Sequence, residues 1–63
     1  MTKIELEEII ASLKVELDNT VKLKAVFTEL GISDAAKDLE DTEELIVVEI
    51  AKYTSMLEKL LPC

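Results

Sequence analysis

A chain of 63 residues with 14 acidic side chains, 7 lysines and a formal net charge of −7 at pH 7 is one domain at most. It has no His, the commonest general base and metal ligand, and no Arg, whose fork pairs with phosphate and guanine. Acidity of this size also repels nucleic acid. We therefore expect no enzyme activity, no cofactor, no metal site and no direct contact with DNA or RNA.

The apolar content predicts a folded protein. Ile, Leu and Val supply 21 of the 63 residues, far more than a disordered chain contains. The longest uninterrupted apolar run, residues 45–48, is too short to cross a bilayer, and no basic segment followed by an apolar run suggests a signal peptide. Cys63, the single cysteine, fits a reducing compartment and is expected at a loose end. These features predict one cytoplasmic domain over residues 1–63, without a membrane partner.

The first helix is predicted to begin at a capping box, because Glu5 follows Thr2 by three residues. An apolar stripe then continues at helical spacing for about four heptads. The Asp18-Asn19-Thr20 segment favours caps and turns, so it predicts a kink within one long helix. The stripe consists of Leu6, Ile9, Leu13, Thr20, Leu23, Phe27 and Leu30, widened by Ile10 and Leu17.

The end of this helix is the clearest local signal. Gly31 can adopt the left-handed conformation that ends a helix. Ile32, the next residue, can then pack back on Phe27, as in a Schellman motif. Ser33-Asp34 then resembles a new N-cap and first helical position. The pattern predicts a helix over about residues 3–30, a turn at 31–33 and a second arm over about 34–61. A connection this short makes the two arms antiparallel neighbours.

The second arm is interpreted either as one helix or as two pieces with a break near 40–42, where Asp41 or Thr42 would serve as an internal cap. In either case, the expected fold class is an all-α, antiparallel helical hairpin. Its apolar stripe recurs at spacings of three, four and seven residues. The stripe consists of Ala36, Leu39, Ile46, Ile50, Tyr53, Leu57 and Leu60.

Apolar residues outside the two stripes predict an oligomer interface. In the first helix, Ile4, Val15 and Val26 share its back. Surplus apolar surface usually marks an interaction site, so we expect a homodimer in the form of a four-helix bundle. The alternatives are a compact three-helix monomer, in which a bent second arm buries the surplus, and a permanent partner of another kind. The predicted interface residues in the second helix are Leu45, Val47, Val48, Ala51 and Met56.

Five acidic residues cluster in the second arm and form a candidate patch for a basic protein partner. The calcium-loop pattern needs alternating oxygen ligands and a central Gly, which this stretch lacks. The side chains also fan around the helix, so a hydrated surface is the alternative to a binding patch. The cluster consists of Asp38, Glu40, Asp41, Glu43 and Glu44.

The Met1-Thr2-Lys3 start and a turn just after Leu30 are similar to the plasmid repressor-of-primer family, although the remaining residues do not match it. The resemblance implies a hairpin that dimerises into a four-helix bundle, whereas that family's RNA binding implies a basic face that this chain lacks. The Leu30–Asp34 region also looks like the turn of short sporulation-regulator phosphatases. Their second helix carries Ser-x-x-x-Asp, and Thr42 with Ile46 stands in its place here. Both resemblances concern architecture, which does not determine function.

The expected function is a small regulatory or adaptor module that acts as a homo-oligomer and binds another protein. The first alternative is an acidic inhibitor, of phage or plasmid type, that mimics nucleic acid and blocks a DNA-binding protein. A leader peptide that is recognised by a processing enzyme is a third class, and it would have little structure in isolation. If partner binding weakens steeply as salt is added, the inhibitor that mimics nucleic acid is favoured. If binding tolerates salt, the adaptor module is favoured.

Overall fold

The computed structural model describes residues 1–60, which form two α-helices packed against each other as an antiparallel hairpin. Helix α1 spans Lys3–Glu29 and helix α2 spans Ser33–Leu60. The molecule is 49 Å long and only 16 by 14 Å across. The all-α hairpin expected from the sequence is confirmed. The predictions that concern the end of the second arm and Cys63 lie outside the described residues.

Helix α1 begins with the predicted capping box. The backbone N–H of Glu5 donates to the Thr2 hydroxyl at 3.1 Å, and the backbone N–H of Thr2 donates to the Glu5 carboxylate at 3.0 Å. Each bond satisfies a donor that the first helical turn leaves without an intrahelical partner. The bond from the Thr2 backbone, helped by one from the Thr2 side chain, lowers the pKa of Glu5 because it stabilises the ionised carboxylate.

The turn between the helices is a Schellman motif. Gly31 has a φ of +76°, in the left-handed region. The N–H of Ile32 donates to the Phe27 carbonyl at 2.9 Å, and that of Gly31 to the Thr28 carbonyl at 3.1 Å. The Ile32 carbonyl already accepts from the Ala36 N–H, so only three residues separate the end of α1 from the start of α2. This connection leaves the two helices side by side over nearly their whole length.

Both helices are unbroken, which corrects the proposed break near 40–42 and removes the basis of the three-helix alternative. The Thr42 hydroxyl donates to the Asp38 carbonyl one turn earlier, at 3.2 Å, instead of capping a new helix. Thr20 does the same with the Glu16 carbonyl, at 2.8 Å. Because each hydroxyl bonds within its own helix, these residues are accommodated in helix interiors despite their preference for caps.

The seam between the helices follows an uninterrupted alternation of three- and four-residue steps on both sides, the spacing of coiled-coil packing. In α1 the seam includes Ile10 and Leu17 of the predicted stripe but differs from it at Lys24, which occupies the seam, and at Leu23 and Leu30, which are exposed. The seam positions of α1 are Leu6, Ile10, Leu13, Leu17, Thr20, Lys24 and Phe27. Those of α2 are Ala36, Leu39, Glu43, Ile46, Ile50, Tyr53, Leu57 and Leu60.

Each seam has one charged residue, and the two meet across the hairpin. The Lys24 ammonium donates to the Glu43 carboxylate at 3.1 Å. Their side chains retain only 33% and 28% of their full exposure, so both are partly removed from water. A half-buried ion pair is satisfied in one alignment of the helices only, since sliding either helix would separate the charges. The pair therefore helps to fix the register.

Little of the seam is fully shielded from water. Among the described residues, the buried apolar side chains are Leu6, Ile10 and Ile46. The other seam residues are only half-buried, and Leu60, at the end of α2, is exposed. A hairpin two helices thick covers one stripe of each helix and leaves the flanks open, so its core is narrow for its length.

Candidate interaction surface

Large apolar side chains are more numerous on the surface of this hairpin than in its core. Leu30 and Leu45 retain 66% and 65% of their full exposure. Single exposed apolar residues are ordinary, but here they recur along both helices. The exposed set consists of Met1, Ile4, Val15, Val21, Leu23, Val26, Leu30, Ile32, Leu45, Val47, Val48 and Leu60.

The hairpin has two long sides, which differ in composition. Leu45 and Val47 flank the buried Ile46, and successive helical residues are about 100° apart, so these two lie on opposite sides of the seam. In two antiparallel helices, the residues just before a seam position lie on the same side of the hairpin in both helices, and the residues just after a seam position lie on the opposite side. We call the first the Leu45 side and the second the Val47 side.

The Leu45 side is the more apolar. In α1 its row repeats every seven residues and has three apolar members out of four: Ile9, Glu16, Leu23 and Leu30. In α2 the corresponding surface carries Leu45 and Met56 with Ala35 and the polar residues Asp38, Thr42, Glu49, Lys52 and Lys59. The large apolar side chains of this side are thus leucine, isoleucine and methionine.

The Val47 side is mostly polar. Its row in α1 has one large apolar member out of four: Glu7, Lys14, Val21 and Thr28. Its row in α2 is Glu40, Val47 and Thr54. An open depression of about 440 Å³ near the turn is lined by Lys24, Thr28, Gly31, Ser33, Ala36, Lys37 and Glu40. Because that depression joins Thr28 of α1 to Glu40 of α2, both rows lie on one side of the hairpin.

The five predicted interface residues do not share one surface. Leu45 and the half-buried Met56 lie on the Leu45 side, whereas Val47 and the exposed Ala51 lie on the other. Val48 points away from the seam, on the outer face of α2, and is 64% exposed. A single flat contact therefore cannot include all five residues.

The back of α1 is also exposed, as the sequence predicts. Ile4, Val15 and Val26 are spaced by eleven residues, which is close to three full turns, so they form a line along the helix. This line lies on the face opposite the seam. It adds isolated apolar positions to the surface, separated from one another by three turns of polar residues.

The acidic cluster is divided by the fold. Asp38, Glu40, Asp41 and Glu44 are exposed and point in different directions around α2, whereas Glu43 faces the seam and pairs with Lys24. Within residues 1–60, no group of three or more carboxylate or thiol side chains is placed to hold a metal ion. Four members of the cluster remain available to a partner, and the fifth has a structural role.

The seam positions of Lys24 and Glu43 are the functional detail that the sequence interpretation missed. In α1 the stripe residue between Thr20 and Phe27 is the exposed Leu23, and in α2 the stripe has no residue between Leu39 and Ile46. Each helix therefore lacks an apolar seam residue in that seven-residue interval. A lysine in one interval and a glutamate in the other are complementary in charge. That complementarity was the available signal for the pair.

Neither helix contains a segment, within residues 1–60, that is long and apolar enough to span a membrane.

Searches against family models, curated proteins and solved structures found no match to this chain.

Proposed function

We propose that this protein is a small protein–protein interaction module of regulatory or adaptor type that acts as a homodimer, in the form of a four-helix bundle in the cytoplasm. The supporting observation is the row of large apolar side chains that the hairpin leaves exposed along its length. Covering such a surface by a second hairpin removes apolar area from water, which favours association. In this proposal the module works by contact, without catalysis.

The test of self-association is the mass of the particle in solution. Size exclusion with light scattering, in reducing buffer so that Cys63 cannot join two chains, should give twice the chain mass at tens of micromolar protein. The melting temperature should also rise with protein concentration, because a dimer is stabilised by mass action. A single-chain mass and a concentration-independent melting temperature would refute the proposal.

A second candidate, the acidic mimic of nucleic acid, is supported by the four exposed carboxylates near the turn. A positively charged partner would bind these groups through charge attraction, which salt screens. The affinity of a captured partner should be measured at low and high salt, with Glu40→Lys and Glu44→Lys as variants. A steep loss of affinity with salt, and loss in both variants, would favour the mimic over the adaptor.

A further inference from the structure

The hairpin exposes more surface than a compact monomer of its mass, and the excess is similar to the area that one partner buries in a standard interface. The chain exposes 4814 Å². A folded monomer of its mass, 7.0 kDa, exposes about 4,000 Å² by the scaling of surface with size. The excess, roughly 800 Å², is the area that each partner buries in an interface of standard size. One long side of a hairpin 49 Å in length is large enough to supply it.

We infer that the second copy of this chain docks on the Leu45 side of the hairpin, with the two copies related by a two-fold axis. The inference rests on the proposed self-association and adds which side carries it. On this side the apolar members are leucine, isoleucine and methionine, whereas the Val47 side interposes Lys14, Glu40 and other polar groups. Burying the Leu45 side therefore removes more apolar area from water.

The distribution of residues along the Leu45 side is self-complementary. Because three residues connect the helices, counting from the turn places Leu30 and Leu23 toward the turn, Leu45 near the level of Glu16 at the middle, and Ile9 near Met56 toward the other end. Either two-fold arrangement then brings an apolar end of one copy onto an apolar end of the other. The surface of each copy that makes the contact is the same, as a closed dimer requires.

A matched pair of substitutions on either side of Ile46 tests the inference. Leu45→Lys should weaken dimerisation by about 100-fold or more, since each copy contributes the lost apolar contact and the added charge. Val47→Lys should leave the dimer dissociation constant within about 3-fold of wild type, a change of less than 1 kcal/mol. Analytical ultracentrifugation gives the constants, and circular dichroism checks that each variant is helical.

Footprinting of the unaltered protein keeps the test independent of folding of the variants. Radical labelling at concentrations below and above the dissociation constant should show concentration-dependent protection of Leu23, Leu45 and Met56, without protection of Val21 and Val47. Protection of Val21 and Val47 instead, or of both sides, would overturn the assigned side while leaving dimerisation intact. A wild-type chain that stays monomeric would overturn the proposed function as well.

Discussion

Gly31 is the residue whose conformation is most narrowly determined by the fold. Its φ of +76° lies where a side chain crowds the backbone, although the space around its missing Cβ is open. Gly31→Ala should therefore reduce the free energy of unfolding by about 1 kcal/mol through backbone strain alone. Urea denaturation followed by circular dichroism measures it, with Ser12→Ala on exposed α1 as the control. An unchanged midpoint for Gly31→Ala would contradict the Schellman ending.

The capping box makes the start of α1 sensitive to acid. The folded state lowers the pKa of Glu5 below its reference value of 4.5, so the cap's contribution to stability is present above that value. It is lost as the pH falls through the lower, folded-state pKa. In Thr2→Ala the pKa of Glu5 should rise toward 4.5, which an NMR titration of the Glu5 carboxyl detects. Equal pKa values in the two proteins would show that the reciprocal bonds do not form in solution.

Residues whose partners are near in sequence could be predicted from short motifs, whereas the pair of Lys24 and Glu43 could be recognised only by comparing the two helices. Thr2 bonds Glu5, and Gly31 accompanies a bond from Ile32 to Phe27, so short motifs contain all the participants. Lys24 pairs with a residue 19 positions away. No residue near Lys24 in the sequence shows that its ammonium faces the seam. The predicted stripe therefore contained the neighbouring apolar residue Leu23 instead. Placing Lys24 requires knowing where the second helix lies.

At the scale of the helices, the Lys24–Glu43 pair is expected to couple the two elements. A double-mutant cycle with Lys24→Met and Glu43→Leu should give a coupling of about 1 kcal/mol, the upper part of the range for partly exposed pairs. The double variant should unfold at higher denaturant than either single one, because neither charge is left without its partner.

The exposed pair of Asp18 and Lys22 is the matched control for that cycle. Its charges are 2.9 Å apart, but the side chains are 63% and 73% exposed and both belong to α1. Lys22→Met should therefore change stability by only a few tenths of a kcal/mol. A coupling at Lys24 and Glu43 no larger than this would mean that the pair does not help to fix the register.

The continuity of the helices could be predicted only in part. The heptad spacing indicated helix throughout both arms, but the Asp, Asn and Thr residues near 18–20 and 41–42 argued locally for interruptions. Packing along the seam decided between these signals, because a break in either helix would have removed several seam positions from contact. The hydroxyls of Thr20 and Thr42 then found acceptors within the helix. Local propensity is a weak guide where long-range packing opposes it.

At the scale of the whole molecule, charge opposes assembly and apolar area favours it. Each chain carries a formal charge of −7, so two chains repel one another at low ionic strength. Raising the salt concentration from about 50 mM to about 500 mM shortens the screening length and should strengthen dimerisation several-fold. Sedimentation equilibrium at the two salt concentrations measures the change. Weaker association at high salt would indicate an interface held by ion pairs rather than by apolar burial.

The short connection at Gly31 also determines the order in which the hairpin forms. Seam positions next to the turn close the smallest loops, and the entropy lost on closure grows with loop length, so pairing starts there and proceeds toward the termini. This step is intramolecular and does not depend on concentration, whereas the meeting of two hairpins does. Refolding of a dimer should therefore show a fast phase that Gly31→Ala slows and a later phase that accelerates with protein concentration. Stopped-flow circular dichroism at two concentrations separates them, and one concentration-dependent phase alone would mean that hairpin formation requires the partner.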